Sequence, residues 1–218
     1  MESDYLWIVL ATGILGWALY ARPWEVLLQP ERQHLTFGAM VLTALMWVVR
    51  VHFPGPWGQL NAMDLPIQMS GAALLTAMLG LRPALIVLAC ACAISSVVLD
   101  GDVQQSAYWF VWLAAVPAFL AAGLNRILVK FLPHNPFIFI LGHGYFGGLL
   151  SVAIGRLLAY GWLLYEQGRV GFPPLDTLAS SVAMGFAEGF ITGLLLAVFV
   201  AHRPQWVPTF DDADYLNR

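Results

Sequence analysis

The sequence predicts an all-α polytopic membrane protein: one integral domain, built as a bundle of about seven transmembrane helices. Three observations carry that reading. Of 218 residues, 60% are hydrophobic and 11% charged, and the mean hydropathy is +0.73. A soluble domain clothes its surface with about 25% charged residues. Nine Trp, seven Tyr and thirteen Phe supply side chains suited to a bilayer interface. Apolar runs of about 20 residues, the length that crosses a hydrocarbon core, recur between short stretches rich in Pro, Gly and charge.

The first span is expected over residues 5–21. Its acidic start, Met1-Glu2-Ser3-Asp4, has no basic residue before the apolar run, which argues against a signal peptide. Arg22 and Pro23 end it, and a polar loop containing Pro30 leads to a second span over 36–53. Pro54-Gly55-Pro56-Trp57-Gly58 breaks any helix, and 59–64 is too polar to face lipid. Asp64 is placed to cap a third helix over 65–80, with Pro66 tolerated in its first turn. A tight turn at Leu81-Arg82-Pro83 precedes a fourth span over 84–99. After the polar turn Asp100-Gly101-Asp102, a fifth span covers 107–131 and kinks at Pro117. Pro133 to Pro136 separates it from a sixth over 137–165, and Pro173-Pro174 precedes a seventh over 177–201. Residues 202–218 form a polar tail.

Charge orients the bundle. With the N-terminus outside, the inner side holds Arg22, Arg32, Arg82, Arg126, Lys130, Arg203 and Arg218, and the outer side keeps Arg169. That distribution follows the positive-inside rule and makes the tail cytoplasmic. Other classes are excluded. The single lysine, Lys130, follows Val129 rather than Gly, so there is no phosphate-binding GxxxxGK loop. Ten basic residues scattered among thirteen acidic ones make no nucleic-acid surface. Cys90 and Cys92, two apart in an apolar run, are not at a zinc spacing and read as packing residues.

Several polar residues fall where lipid should exclude them. A charge at the centre of a spanning helix costs about 2.5–3.5 kcal/mol on insertion scales. Glu188 is such a residue, set among Gly185, Gly189 and Gly193, whose four-residue spacing makes a smooth helix face. It is either a paired structural acid or a substrate or ion contact. His143 lies in a second small-residue surface with Gly144 and Gly148. Its imidazole can ligate a metal, carry a proton or bond a neighbouring helix, and it is the best metal candidate in the chain. Arg156 reads as a guanidinium snorkelling to one membrane face. Asp64 and Gln68, four apart, share the top of the third helix, either as a cap with a buried amide or as the lining of a cup.

Three stretches together resemble a known family. Asp64-Leu-Pro-Ile-Gln68-Met-Ser-Gly71, continuing to Gly80, is similar to the third-helix signature of the membrane permease of energy-coupling-factor transporters, in the branch that takes up cobalt and nickel. Leu141-Gly-His143-Gly-Tyr-Phe-Gly-Gly148 resembles an asparagine- and glycine-containing helix of a proteobacterial sub-branch. The tail Arg203-Pro-Gln-Trp206-Val-Pro-Thr-Phe-Asp-Asp212 resembles that sub-branch's Arg-Pro-x-Trp-Val…Phe-Asp-Asp ending. The resemblance implies a substrate-binding component of the bacterial inner membrane, not itself an enzyme. A transmembrane coupling protein and ATPase subunits would be its partners. Metal-uptake members bind nickel or cobalt through an N-terminal Met-His segment and a histidine at the start of the third helix. Here the chain begins Met1-Glu2-Ser3, Gln68 stands at that histidine's position, and His143 stands at the asparagine's. A neutral amide is a poor nickel or cobalt donor, so the usual metal site is absent as such. The first helix lacks the clear pair of alanines four apart with which the family docks its coupling protein, and Thr12 and Gly16 offer a weaker small-residue face in its place.

The leading expectation is therefore a permease whose cup is formed by Asp64, Gln68, His143 and Glu188, as ligand contacts or as residues that order the cup. The alternative is a non-transporting integral subunit or assembly factor of a larger membrane complex. A third reading, an intramembrane protease using Ser70 and His143, lacks the Gly-x-Ser-Gly setting of such enzymes.

Overall fold

The computed structural model describes residues 2–48, 68–133, 135–167 and 174–210. Its helices are α1 (Glu2–Tyr20), α2 (Trp24–Leu27), α3 (Gln33–Val48), α4 (Ala72–Leu79), α5 (Leu81–Val98), α6 (Val103–Trp109), α7 (Val116–Phe131), α8 (Pro136–Ile138), α9 (Gly147–Gln167) and α10 (Pro174–His202). A π-helical stretch, Phe110–Ala115, fuses α6 and α7 into one rod, and a second, Phe139–Phe146, fuses α8 and α9. Among the described residues there is no strand.

Four rods are long and apolar enough to cross a membrane: Leu81–Val98, Val103–Phe131, Pro136–Glu166 and Leu175–His202. Tyr5–Tyr20 and Gln33–Val48 are apolar but shorter. Large apolar side chains face outward: Phe37, Leu42, Val97 and Phe190 are all more than half exposed. Small ones face inward, with Ala18, Ala72, Ala84, Ala114 and Ala118 fully buried. That distribution suits a solvent as apolar as the core, where close backbone approach rather than hydrophobic burial holds helices together.

The closest approach runs between the rod α8–α9 and α10. A Cβ added at Gly144 would stand 2.8 Å from the Gly193 Cα, and one at Gly148 would stand 2.8 Å from the Gly189 Cα. From the other side, a Cβ on Gly185 would lie 2.5 Å from the Leu149 carbonyl oxygen, and one on Gly189 would strike the Tyr145 carbonyl.

Two expected boundaries move for local reasons. The fifth span begins at Val103 rather than 107 because Asp102 caps it, its Oδ1 accepting from Gln105 N at 2.6 Å. The tight turn expected at Leu81-Arg82-Pro83 is the first turn of α5. The break sits one residue earlier, at Gly80, whose φ of 85° favours glycine.

The third expected helix, 65–80, needs a larger correction. Among its described residues only Ala72–Leu79 is helical, and Gln68–Gly71 is not. Asp64 and the Pro/Gly-rich segment before it lie outside the described residues.

The ends of several helices gather at one end of the bundle. Arg82 lies over the Trp17 ring at 4.4 Å. Arg32 Nε donates to the Gln205 carbonyl at 2.8 Å, and Phe139 meets Phe210 edge-on with ring centres 5.1 Å apart. At the opposite end Trp7 of α1 is wedged among Tyr108, Trp112 and Trp162, with ring centres 5.2–5.6 Å away.

Candidate functional site

Glu188 is the central residue of α10 and is 1% exposed. Its carboxylate faces the break before α4. Oε2 accepts from the Ser70 N–H at 2.9 Å and Oε1 from the Gly71 N–H at 2.6 Å. A helix start leaves backbone N–H groups without intrahelical partners and carries partial positive charge. Two successive N–H groups turned to one side make an anion-binding concavity. Here Gly71, at φ 69°, turns the chain, and the anion that fills the concavity is a side chain of the same protein. A Cβ on Gly71 would also stand 3.4 Å from Thr43 Oγ1.

The remaining polar groups of this segment are bonded to other helices. Ser70 Oγ donates to the Leu113 carbonyl at 2.6 Å and accepts from Ala72 N at 3.2 Å, which caps α4. Pro117, four residues after Leu113, has no N–H to offer that carbonyl. The π-helical stretch ending at Ala115 lies directly before it. Trp47 Nε1 donates to the Ser70 carbonyl at 3.2 Å, and Gln68 Nε2 donates to the Trp47 carbonyl at 2.9 Å. The break is therefore clasped by α3, the α6–α7 rod and α10.

Of the sequence-predicted site residues, the structure joins Gln68 and Glu188 through this segment. Both are buried. His143 is buried elsewhere. It lies against the Phe139 ring with centres 4.7 Å apart and lines a cavity of about 10 Å³ with Leu128, Leu132 and Ile138. Gly144 opposes Gly193 in the antiparallel pairing with α10, so His143 lies roughly 9 Å along the axis from Glu188 at 1.5 Å rise per residue. Among the described residues no three His, Cys, Asp or Glu side chains come together as a metal site. Ser70 Oγ, the nucleophile of the protease reading, gives its proton to Leu113. Asp64 lies outside the described residues.

Sequence reading missed Trp47, Leu113 and the structural use of Ser70. The signals were present: Ser70-Gly71 directly before an unbroken apolar run is a helix start, and Pro117 orphans a carbonyl four residues back. Compared with protein-family models, with curated proteins and with solved structures, the chain matches none.

Proposed function

We propose that this chain is the substrate-binding membrane permease component of an energy-coupling-factor-type transporter, with seven crossings, an outer N-terminus and a cytoplasmic tail. It would lie in the bacterial inner membrane and depend on partner chains for ATP hydrolysis. The observation that carries the proposal is the non-helical segment Gln68–Gly71, which leads into α4 at mid-length of α10 and is held by Glu188. Irregular backbone at membrane depth persists only where it is buried in protein or lines a cavity. Non-helical backbone beside a helix start is a common part of the midplane binding sites of transporters.

In this reading Glu188 orders the cup and does not touch cargo: its side chain is 1% exposed and both oxygens are turned to the Ser70 and Gly71 N–H groups. Cargo contact falls to Asp64 and to the amide oxygen of Gln68, whose amide nitrogen is committed to the Trp47 carbonyl. Nickel or cobalt as cargo would need further nitrogen donors beside them.

The same pairing of Glu188 also suits the alternative, a non-transporting integral subunit or assembly factor in which the break is purely architectural. Gentle detergent purification, followed by mass spectrometry and elemental analysis, separates the two. Co-purification of an ATPase with a coupling membrane protein supports the permease. Recovery with subunits of a larger membrane complex, and no ATPase, overturns it.

A further inference from the structure

The short helix α4 is pinned at both ends by side chains distant in sequence. Its N-terminal side is held by Glu188. At its C-terminal end the Thr76 carbonyl is satisfied by Gly80 N, which leaves the carbonyls of Ala77 and Met78 without helical partners. Thr209 reaches back from the tail and donates its hydroxyl to the Ala77 carbonyl, with Met78 O 3.3 Å away.

The tail is anchored well enough to make that contact matter. Val207 is fully buried, Phe210 packs on Phe139, and Trp206 packs on Phe199 with ring centres 5.6 Å apart. Eight residues of α helix span about 12 Å. All of α4 except Leu74 is buried. Gly80, at φ 85°, separates it from α5, so α4 is a rod hinged to its neighbour rather than a continuation of it.

We propose that the tail segment Arg203–Phe210 is a strap that fixes the depth of α4, and that its release loosens the Glu188 latch at the other end of the rod. The proposal rests on the permease reading for its purpose, since a strap at the arginine-rich end would let a partner chain there act on the cup. The mechanical coupling stands apart from transport. A rod bonded at both ends transmits a shift at one end to the other, and by linkage the dependence runs both ways.

The test is hydrogen exchange by mass spectrometry on the full chain in detergent, comparing the parent with Thr209→Val, Thr209→Ser and Glu188→Ala. Loss of one net hydrogen bond corresponds to about threefold to tenfold faster local opening. Thr209→Val should accelerate exchange by that factor across residues 70–79, leave the α9–α10 seam at the parent rate, and be rescued by Thr209→Ser. Glu188→Ala should in turn accelerate exchange in residues 204–210. Unchanged α4 exchange in Thr209→Val overturns the strap, as does a Thr209→Ser variant that opens as fast as the valine. If Glu188→Ala does not fold, the two Thr209 variants still decide. Failure to recover an ATPase with the parent protein would sink the permease reading and leave these exchange results standing.

Discussion

The α9–α10 seam and the cradle of α4 hold helices together in opposite ways. In the seam, Gly144, Gly148, Gly185 and Gly189 let two backbones approach until a single Cβ would overlap main-chain atoms. Along that stretch of glycines the contact is backbone against backbone, and its attraction is dispersion summed over the close approach. In the cradle, a helix too short to cross a membrane is held by hydrogen bonds from Glu188, Ser70, Trp47 and Thr209. A seam of glycines is tight or broken, whereas α4, packed along its length, has its position at each end set by a few hydrogen bonds that can be lost one at a time. The part built to stay and the part able to move are therefore distinguishable by what holds them.

That contrast can be broken most severely at the seam. Gly189→Leu would drive its Cβ into the Tyr145 carbonyl and the Leu149 N and Cβ, none of which is a flexible side-chain end, and should cost more than about 3 kcal/mol, read as loss of monodisperse protein on size exclusion. Recovery of a well-folded variant would show that the seam can separate.

Next comes Glu188→Ala, which strands two buried N–H groups at about 1–3 kcal/mol each. At roughly 2–4 °C per kcal/mol for a chain of this size, its detergent melting temperature should fall by about 4–24 °C. Glu188→Gln should recover only part of the loss, because the amide brings one acceptor and turns a donor toward the other N–H. A full recovery would mean that the two-oxygen clasp is unimportant.

Ser70→Ala should cost about 1–2 kcal/mol by orphaning the Leu113 carbonyl. Pro117→Ala restores an N–H four residues after Leu113, so the double variant should cost less than the sum of the singles by about 0.5–1.5 kcal/mol. Strict additivity in the melting temperatures would remove Pro117 from the account. The smallest effect belongs to Gly161→Ala in α9, where an added Cβ meets nothing within 4 Å. It should raise stability by up to about 1 kcal/mol through helix propensity. A destabilisation there would show that glycine spacing alone, without contact, matters in this bundle.

Much of the helix layout was legible because apolar length is a one-dimensional property. The boundaries at Tyr20, Val98, Phe131 and His202 all fall within a few residues of where hydropathy, Arg22, Asp100, Pro133 and Arg203 mark them. The glycines of the seam were visible as a four-residue repeat. The non-helical course of Gln68–Gly71 was not, since Leu-Pro-Ile-Gln-Met-Ser-Gly reads as apolar helix by periodicity. The Ser70 and Gly71 N–H groups are instead taken by a carboxylate 117 residues away from Gly71, through charge-assisted hydrogen bonds that periodicity does not reveal.

The sequence by itself determined that this is a helical chain suited to a bilayer, where it turns, and which residues lipid should have excluded. A charged group in an apolar run announces that it must have a partner, because its burial alone is too costly. Only the tertiary structure decided who the partners are: Glu188 with Ser70 and Gly71, Thr209 with Ala77, and His143 beside Phe139 instead of beside Glu188. The rotation of each helix about its axis sets those pairings. It follows from how all the helices pack at once, which no single stretch of sequence encodes.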